Sequence, residues 1–221
     1  MIARVARFKF PSLRHVEEAK RNGQGRVAPS LARQPGFVAI YFGLINELEG
    51  FSISIFENRE SAETAGATMN AQPLLPGQVP EMLPTPVSVR FYDVAHAVVH
   101  DGLPVSGRLG FLALAPGQKE ASADRWALES FGPMLKTVAG LCQAYLLADP
   151  DSPERAALTF WTGPDAMESG QAAIGSWQSR EAAEGRAPAY LAAEVFVLTL
   201  GEGVDAPIVA AGVPNTMPQP V

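Results

Sequence analysis

Residues 29–66 and 133–170 read as two copies of one pattern, set 104 positions apart. At that offset Pro29 meets Pro133, Leu31 meets Leu135, Gly36 meets Gly140 and Tyr41 meets Tyr145. Phe56 then meets Phe160, Ala62 meets Ala166 and Gly66 meets Gly170. An internal repeat constrains a fold more than any local propensity, because each copy must be a unit whose bare face its neighbour covers.

The order of element types repeats as well. In the first copy, period-two apolar patterning places a strand at residues 2–10. An irregular helix over residues 13–34 is interrupted by Gly23, Gly25 and Pro29, and a hairpin joins residues 37–45 to 51–57. A short helix at 61–70 and a closing strand at 87–94 complete the unit. In the second copy the strand is 108–114, and a helix from about Gln118 carries Leu128, Phe131, Leu135 and Val138 as its apolar stripe. A hairpin of residues 141–148 and 156–161 follows. A helix opens at Gly163-Pro164-Asp165, where proline and aspartate both suit a first turn. Residues 190–200 form the closing strand. The matched prolines predict that both first helices bend or break at the same place, because proline removes a hydrogen bond and clashes with the carbonyl four residues back.

A strand–helix–strand–strand–helix–strand unit carries both helices on one face of an antiparallel sheet. Two such sheets can cover each other. The near-continuous apolar runs at 37–45 and 193–200 fit strands buried on both sides. The expected fold is α+β: two ferredoxin-like βαββαβ units in tandem, their sheets packed face to face as an intramolecular dimeric α+β barrel. The expected units span residues 1–103 and 104–203, with a tail at 204–221.

Charge and composition exclude several function classes. A net charge of −6 and a pI near 5.1 argue against binding nucleic acid, which needs a basic footprint. No apolar run is long enough to span a membrane. Cys142 is the only cysteine, so no intramolecular disulfide forms, and the N-terminus lacks the layout of a signal peptide. A cytoplasmic location is expected. His96 and His100 have the spacing of a helical metal site, but their stretch reads as extended, which would hold them about 13 Å apart. No metal and no cofactor are expected, and neither a catalytic Ser–His–Asp grouping nor a phosphate loop is present.

The glycine-to-strand junctions at Gly36 and Gly140 point to a known family. So do the hairpin ends Phe56-Glu57-Asn58-Arg59-Glu60-Ser61-Ala62 and Phe160-Trp161-Thr162-Gly163-Pro164-Asp165-Ala166, and the closing strand Val89-Arg90-Phe91-Tyr92-Asp93-Val94. Together they resemble the dimeric α+β barrel superfamily, specifically a tandem copy of the antibiotic-biosynthesis monooxygenase domain. The resemblance implies a small pocket in each unit, between the sheet and its helices. Members include cofactor-free oxygenases of polyketide phenols, quinol oxygenases, haem-degrading enzymes and proteins without assigned activity. The haem-degrading branch uses an asparagine on the first strand, a tryptophan after the third strand and a histidine in the second helix. Here the first strands hold no asparagine, Gly66 and Gly170 stand at the histidine position, and Trp161 alone matches the tryptophan, with Glu57 opposite it. Haem degradation is therefore not expected. Neither is haem binding of the chlorite-dismutase kind, since no histidine follows His100.

The candidate residues each carry two readings. Trp161 is a pocket-lining aromatic or a packing residue. Tyr41 and Tyr145, duplicated by the repeat, either serve a ligand or join the barrel seam. Arg90 and Tyr92, two apart on a strand, could stabilise a phenolate and relay its proton; alternatively Arg90 pairs with Glu194. Arg4 and Arg108 read as barrel-interior or rim charges. Asn58 caps a helix or offers an amide to the first pocket. Trp177 falls on a core stripe, while Trp126 falls off its helix's stripe and would cover a pocket mouth or meet another subunit. With Trp161, Tyr145, Arg90 and Tyr92 as catalytic candidates and Tyr41, Asn58 and Trp177 as ligand contacts, the expected partner is a small aromatic or apolar molecule. The chain is then a cofactor-independent oxygenase of phenolic or quinone-like substrates, or a non-catalytic ligand-binding or stress-related barrel. The fused pair could itself form a homodimer. Because Trp161 has no copy in the first half, the working pocket is expected in the second.

Overall fold

The computed structural model describes residues 1–71, 73–114, 116–188, 190–199 and 208–209. The first half runs β1 (Ile2–Lys9), α1 (Leu13–Asn22), a π-turn (Gly23–Val27), α2 (Ala28–Leu31), β2 (Phe37–Asn46), β3 (Glu49–Phe56), α3 (Arg59–Ala71) and β4 (Pro86–Val99). The second runs β5 (Ser106–Leu114), α4 (Glu120–Trp126), a π-turn (Ala127–Phe131), α5 (Gly132–Leu135), β6 (Leu141–Ala148), β7 (Glu154–Trp161), α6 (Pro164–Ala183) and β8 (Tyr190–Thr199). A two-residue strand, β9 (Ile208–Val209), pairs with β2 at Ile40 and Ala39; the rest of the expected tail lies outside the described residues.

The prolines act as the sequence predicts. Pro29 and Pro133 each sit in the first turn of the helical segment after a π-turn. The Ala28 N–H bonds to the Gly23 carbonyl and the Gly132 N–H to the Ala127 carbonyl, five residues back. The wider turn accommodates a residue that can neither donate to nor tolerate the carbonyl four back. It also brings residues five apart onto one face.

All strand pairs are antiparallel. β1 lies between β3 and β4, and β5 between β7 and β8. The halves join where β4 pairs with β6 and where Leu44 of β2 pairs with Thr199 of β8; the β2–β3 pairing closes the ring. The two sheets thus join edge to edge as one barrel. Apolar side chains pack its interior, among them Val5, Tyr41, Ile53, Tyr92, Leu109 and Phe160. The helices cover the outside in two separate cores, one built on Leu31, Phe37 and Phe56, the other on Leu135, Leu141 and Trp161. Among the described residues, no helix is long and apolar enough to cross a membrane.

The second hairpin is one residue longer than the first, and this alters the repeat. Leu44 pairs with Gly50, whereas Ala148 pairs with Arg155. From β3 and β7 through α3 and α6 the true offset is therefore 105. Phe37 pairs with Phe56, but Leu141 pairs with Trp161, and the Gly36 and Gly140 carbonyls accept from the N–H groups of Glu57 and Thr162. The identities at Pro29, Leu31, Gly36 and Tyr41 are spatial equivalences. Those at Phe56, Ala62 and Gly66 are one residue out of step: the counterparts are Phe56 with Trp161, Ser61 with Ala166 and Ala65 with Gly170. The junction glycines confirm the shift. Both have positive φ, +72° and +74°, and a Cβ would fall 2.6 Å from Ser61 Oγ at Gly36 and 2.6 Å from Ala166 Cβ at Gly140.

Candidate functional site

A cavity of about 420 Å³ opens in the first half, between the outer face of β1–β3 and the α1 helix with its π-turn. Phe8, Phe42 and Leu44 rise from the strands, Val16 and Ala19 face them from α1, and Pro84 and Pro86 stand at the margin. Gly23 lets the π-turn approach the sheet, since a Cβ there would touch the Phe42 ring at 3.3 Å. Asn22 is buried at the end of α1, its Oδ1 accepting from Arg26 Nε at 2.7 Å and from Gln78 Nε2 at 3.5 Å.

At the equivalent place in the second half three aromatics pack together. Trp126 stands where Asn22 does and Phe131 where Val27 does. The π-turn superposes this pair, whose rings stack at 5.3 Å with planes 8° apart. Trp177 from α6 stacks on both, at 5.5 and 5.9 Å. The second half is where a working pocket was expected; there three aromatics pack at the place where the first half opens its cavity. Trp126 is a buried core residue rather than a lid, and Leu128, assigned to the apolar stripe, is 43% exposed. The extra residue in the π-turn rotates the helix phase, turning Leu128 out and Trp126 in.

Trp161 lies fully buried under Gly170 and donates from Nε1 to Thr159 Oγ1 at 3.1 Å. A Cβ at Gly170 would fall 2.5 Å from Trp161 Cη2. Its counterpart is Phe56, not Glu57. Tyr41 and Tyr145 meet across the barrel interior, hydroxyl to hydroxyl at 3.0 Å, and Tyr41 also donates to Gln143 Oε1 at 2.6 Å. Burial pushes both phenols above their ordinary pKa. Asn58 caps α3, its Oδ1 accepting from the Ser61 N–H at 2.9 Å. None of Trp161, Tyr145, Tyr41, Asn58 and Trp177 lines the first-half cavity.

Arg90 and Tyr92 do come together, in a second cavity of about 190 Å³ that also borders Arg7 and Phe111. Arg90 Nη1 and the Tyr92 hydroxyl both donate to Glu154 Oε1, at 2.6 and 2.9 Å. Arg90 is thus paired with Glu154 of β7; the Glu194 side chain lies outside the described residues. Burial pushes the Tyr92 phenol up to about 12, against the hydrogen bond from Arg90.

Arg4 is the residue the sequence reading misplaced. Its neighbour Val5 faces the barrel interior, so Arg4 points outward, beneath the helices and into the first-half cavity. Arg108, its copy on β5, donates to Gln171 Oε1 on α6. The counterpart of Gln171 on α3 is Gly66, where a Cβ would meet nothing within 4 Å. Among the described residues, no side chain or carbonyl partners the Arg4 guanidinium. Burial lowers the pKa of both arginines from the ordinary value, and each remains a cation at neutral pH. Lys20 and Arg26 also line the cavity, and among the described residues no carboxylate does.

No family model matches the sequence, and no curated protein matches it. Solved structures do. A candidate monooxygenase from Fusobacterium nucleatum subsp. nucleatum superposes with a TM-score of 0.64 at 10% identity, over 90% of each chain. The chain has a monooxygenase-like α+β barrel fold. An anthrone oxidase-like protein matches this fold with a TM-score of 0.53 at 16% identity, over 90% of this chain and 89% of its own. A heme-binding protein from Thermus thermophilus matches with a TM-score of 0.54 at 8% identity, over 90% and 89%. The monooxygenase-like fold does not by itself bring a haem site. Among the described residues, no histidine, cysteine, methionine or tyrosine lines the first-half cavity, so an iron porphyrin there would find no axial ligand.

Proposed function

We propose that this chain binds a small aromatic or apolar molecule in the first-half cavity, and that phenolic or quinone-like compounds are the class to test for cofactor-independent oxygenation. One observation carries the reading: the halves share a backbone, yet three stacked aromatics fill the space in one and Phe8, Phe42 and Leu44 wall an open volume in the other. A concave site of this size with apolar walls and a few polar groups suits a planar ligand of two or three rings. An electron-rich phenolate can react with oxygen directly. The protein then has to orient the ring, exclude water and favour the deprotonated form. Likeness of fold to an anthrone oxidase-like protein is in keeping with such a substrate.

A non-catalytic binding role is supported by a separate observation. The residues that suggested chemistry from sequence are dispersed: Trp161 in the helix-side core, Tyr145 in the barrel interior, Arg90 and Tyr92 beside Glu154. Oxygen consumption over a panel of hydroquinones separates the two readings, with binding followed by calorimetry. Uptake that disappears in Ala19→Phe, which fills the cavity from α1, supports oxygenation. Binding without uptake supports the non-catalytic role, and absence of both overturns the cavity reading.

A further inference from the structure

We propose that the first-half cavity selects an organic anion, an aromatic carboxylate or phenolate whose charged oxygen docks on Arg4. This rests on the cavity being the ligand site and names the chemistry of what it takes.

The two halves supply the argument. Arg4 and Arg108 are copies on β1 and β5, both turned outward beneath a helix. Arg108 is held by the Gln171 amide, whereas the matching place on α3 is Gly66, with open space above it. The second half thus satisfies its half-buried guanidinium internally, and the first half leaves Arg4 facing an open volume. A partly desolvated guanidinium without an acceptor is unfavourable, and a carboxylate or phenolate supplies charge-assisted, bidentate-capable oxygens. The other two cations at the cavity are already engaged: Lys20 Nζ donates to Glu17 Oε1 at 2.9 Å and Arg26 Nε to Asn22 at 2.7 Å. Among the described residues no carboxylate lines the walls, in a chain whose net charge is −6. The positive lining is therefore local to the cavity. The aromatic rings of Phe8 and Phe42 flank the space beside Arg4, which places an anionic group at one end of an apolar body.

The test uses the full chain and two probes of one shape, naphthalene-2-carboxylate and the neutral naphthalene-2-carboxamide, titrated by calorimetry. Wild type is expected to bind the carboxylate at least about tenfold more tightly. Arg4→Met should abolish that preference, while Arg4→Lys keeps part of it. Gly66→Gln rebuilds beside Arg4 the amide that Gln171 presents to Arg108. It should lower carboxylate affinity toward that of the carboxamide, leaving carboxamide affinity within about threefold of wild type. Replacing glycine within a helix at an open position favours folding, so this variant carries the test even where Arg4→Met fails to fold. Equal binding of the two probes to wild type, or an unchanged preference in Gly66→Gln, overturns the role of Arg4 and leaves the cavity reading standing. Binding of neither probe overturns both.

Discussion

Asn22 and Trp126 hold the same position in the two halves, the last residue before the π-turn, and they give that position opposite outcomes. The asparagine is bonded to Arg26 beside an open cavity. The indole packs against both Phe131 and Trp177 at the equivalent place. One backbone thus supports an open cavity in one half and an aromatic stack in the other.

Trp126→Ala should cost about 3–5 kcal/mol, because removing the indole leaves its two stacking partners facing a void. Leu128→Gln, two residues away, should fall within about 0.5 kcal/mol of wild type, since Leu128 is already exposed. Urea unfolding of both variants checks the pair. Similar losses would contradict the helix phase that the π-turn sets.

The small residue above each strand-end aromatic is matched to its size. Gly170 lies over Trp161, and Ala65 stands at the equivalent place in the core that contains Phe56. Gly170→Ala should therefore destabilise by about 1–3 kcal/mol through overpacking. Adding Trp161→Phe recreates the first-half pairing and should recover most of the loss. Denaturant midpoints of the single and double variants measure that coupling.

The Tyr41 hydroxyl satisfies Tyr145 and Gln143 in the barrel interior. Tyr41→Phe should cost about 1 kcal/mol, because it removes the short bond to Gln143 Oε1 and leaves that oxygen only the longer one from the Tyr145 hydroxyl, at 3.5 Å. An unchanged unfolding midpoint would show that these groups find other partners.

Alkaline pH should weaken the fold through its buried phenols. The folded-state pKa of Tyr92 is pushed from 10.0 up to about 12, so its proton is held more tightly in the folded protein than in the unfolded one. Its contribution is complete below pH 10 and is lost as pH rises from 10 through 12. Tyr41 and Tyr145 shift the same way. Stability measured across that window should fall, and Tyr92→Phe should make the fall shallower. A curve of unchanged steepness in that variant would contradict the burial of its hydroxyl.

The element order, the barrel of two joined sheets and the shared helix break at Pro29 and Pro133 were legible in the sequence, because patterning and proline chemistry are local. The cavity was not. Its place depends on Trp126, Phe131 and Trp177 converging from two helices, and a uniform helical period turns Trp126 the wrong way. Arg4 was missed for a second reason. Gly66 aligns with Gly170 without a gap, so the absence of a partner equivalent to Gln171 is visible only once the longer hairpin before Glu154 shifts the copies by one residue. Arg90 and Tyr92 were rightly read onto one face, but their carboxylate comes from β7, through a barrel pairing that strand sequences do not reveal.

All three tryptophans, Trp126, Trp161 and Trp177, lie in the second half, and the cavity lies in the first. That separation makes proton–nitrogen correlation spectra, recorded during titration with a naphthol, the most direct test of where a ligand binds. The backbone amides of Gly23, Gly43 and Gly50 should move while the three indole signals stay in place. Movement of the indole signals with those glycines unchanged would put the ligand in the second half and contradict the account.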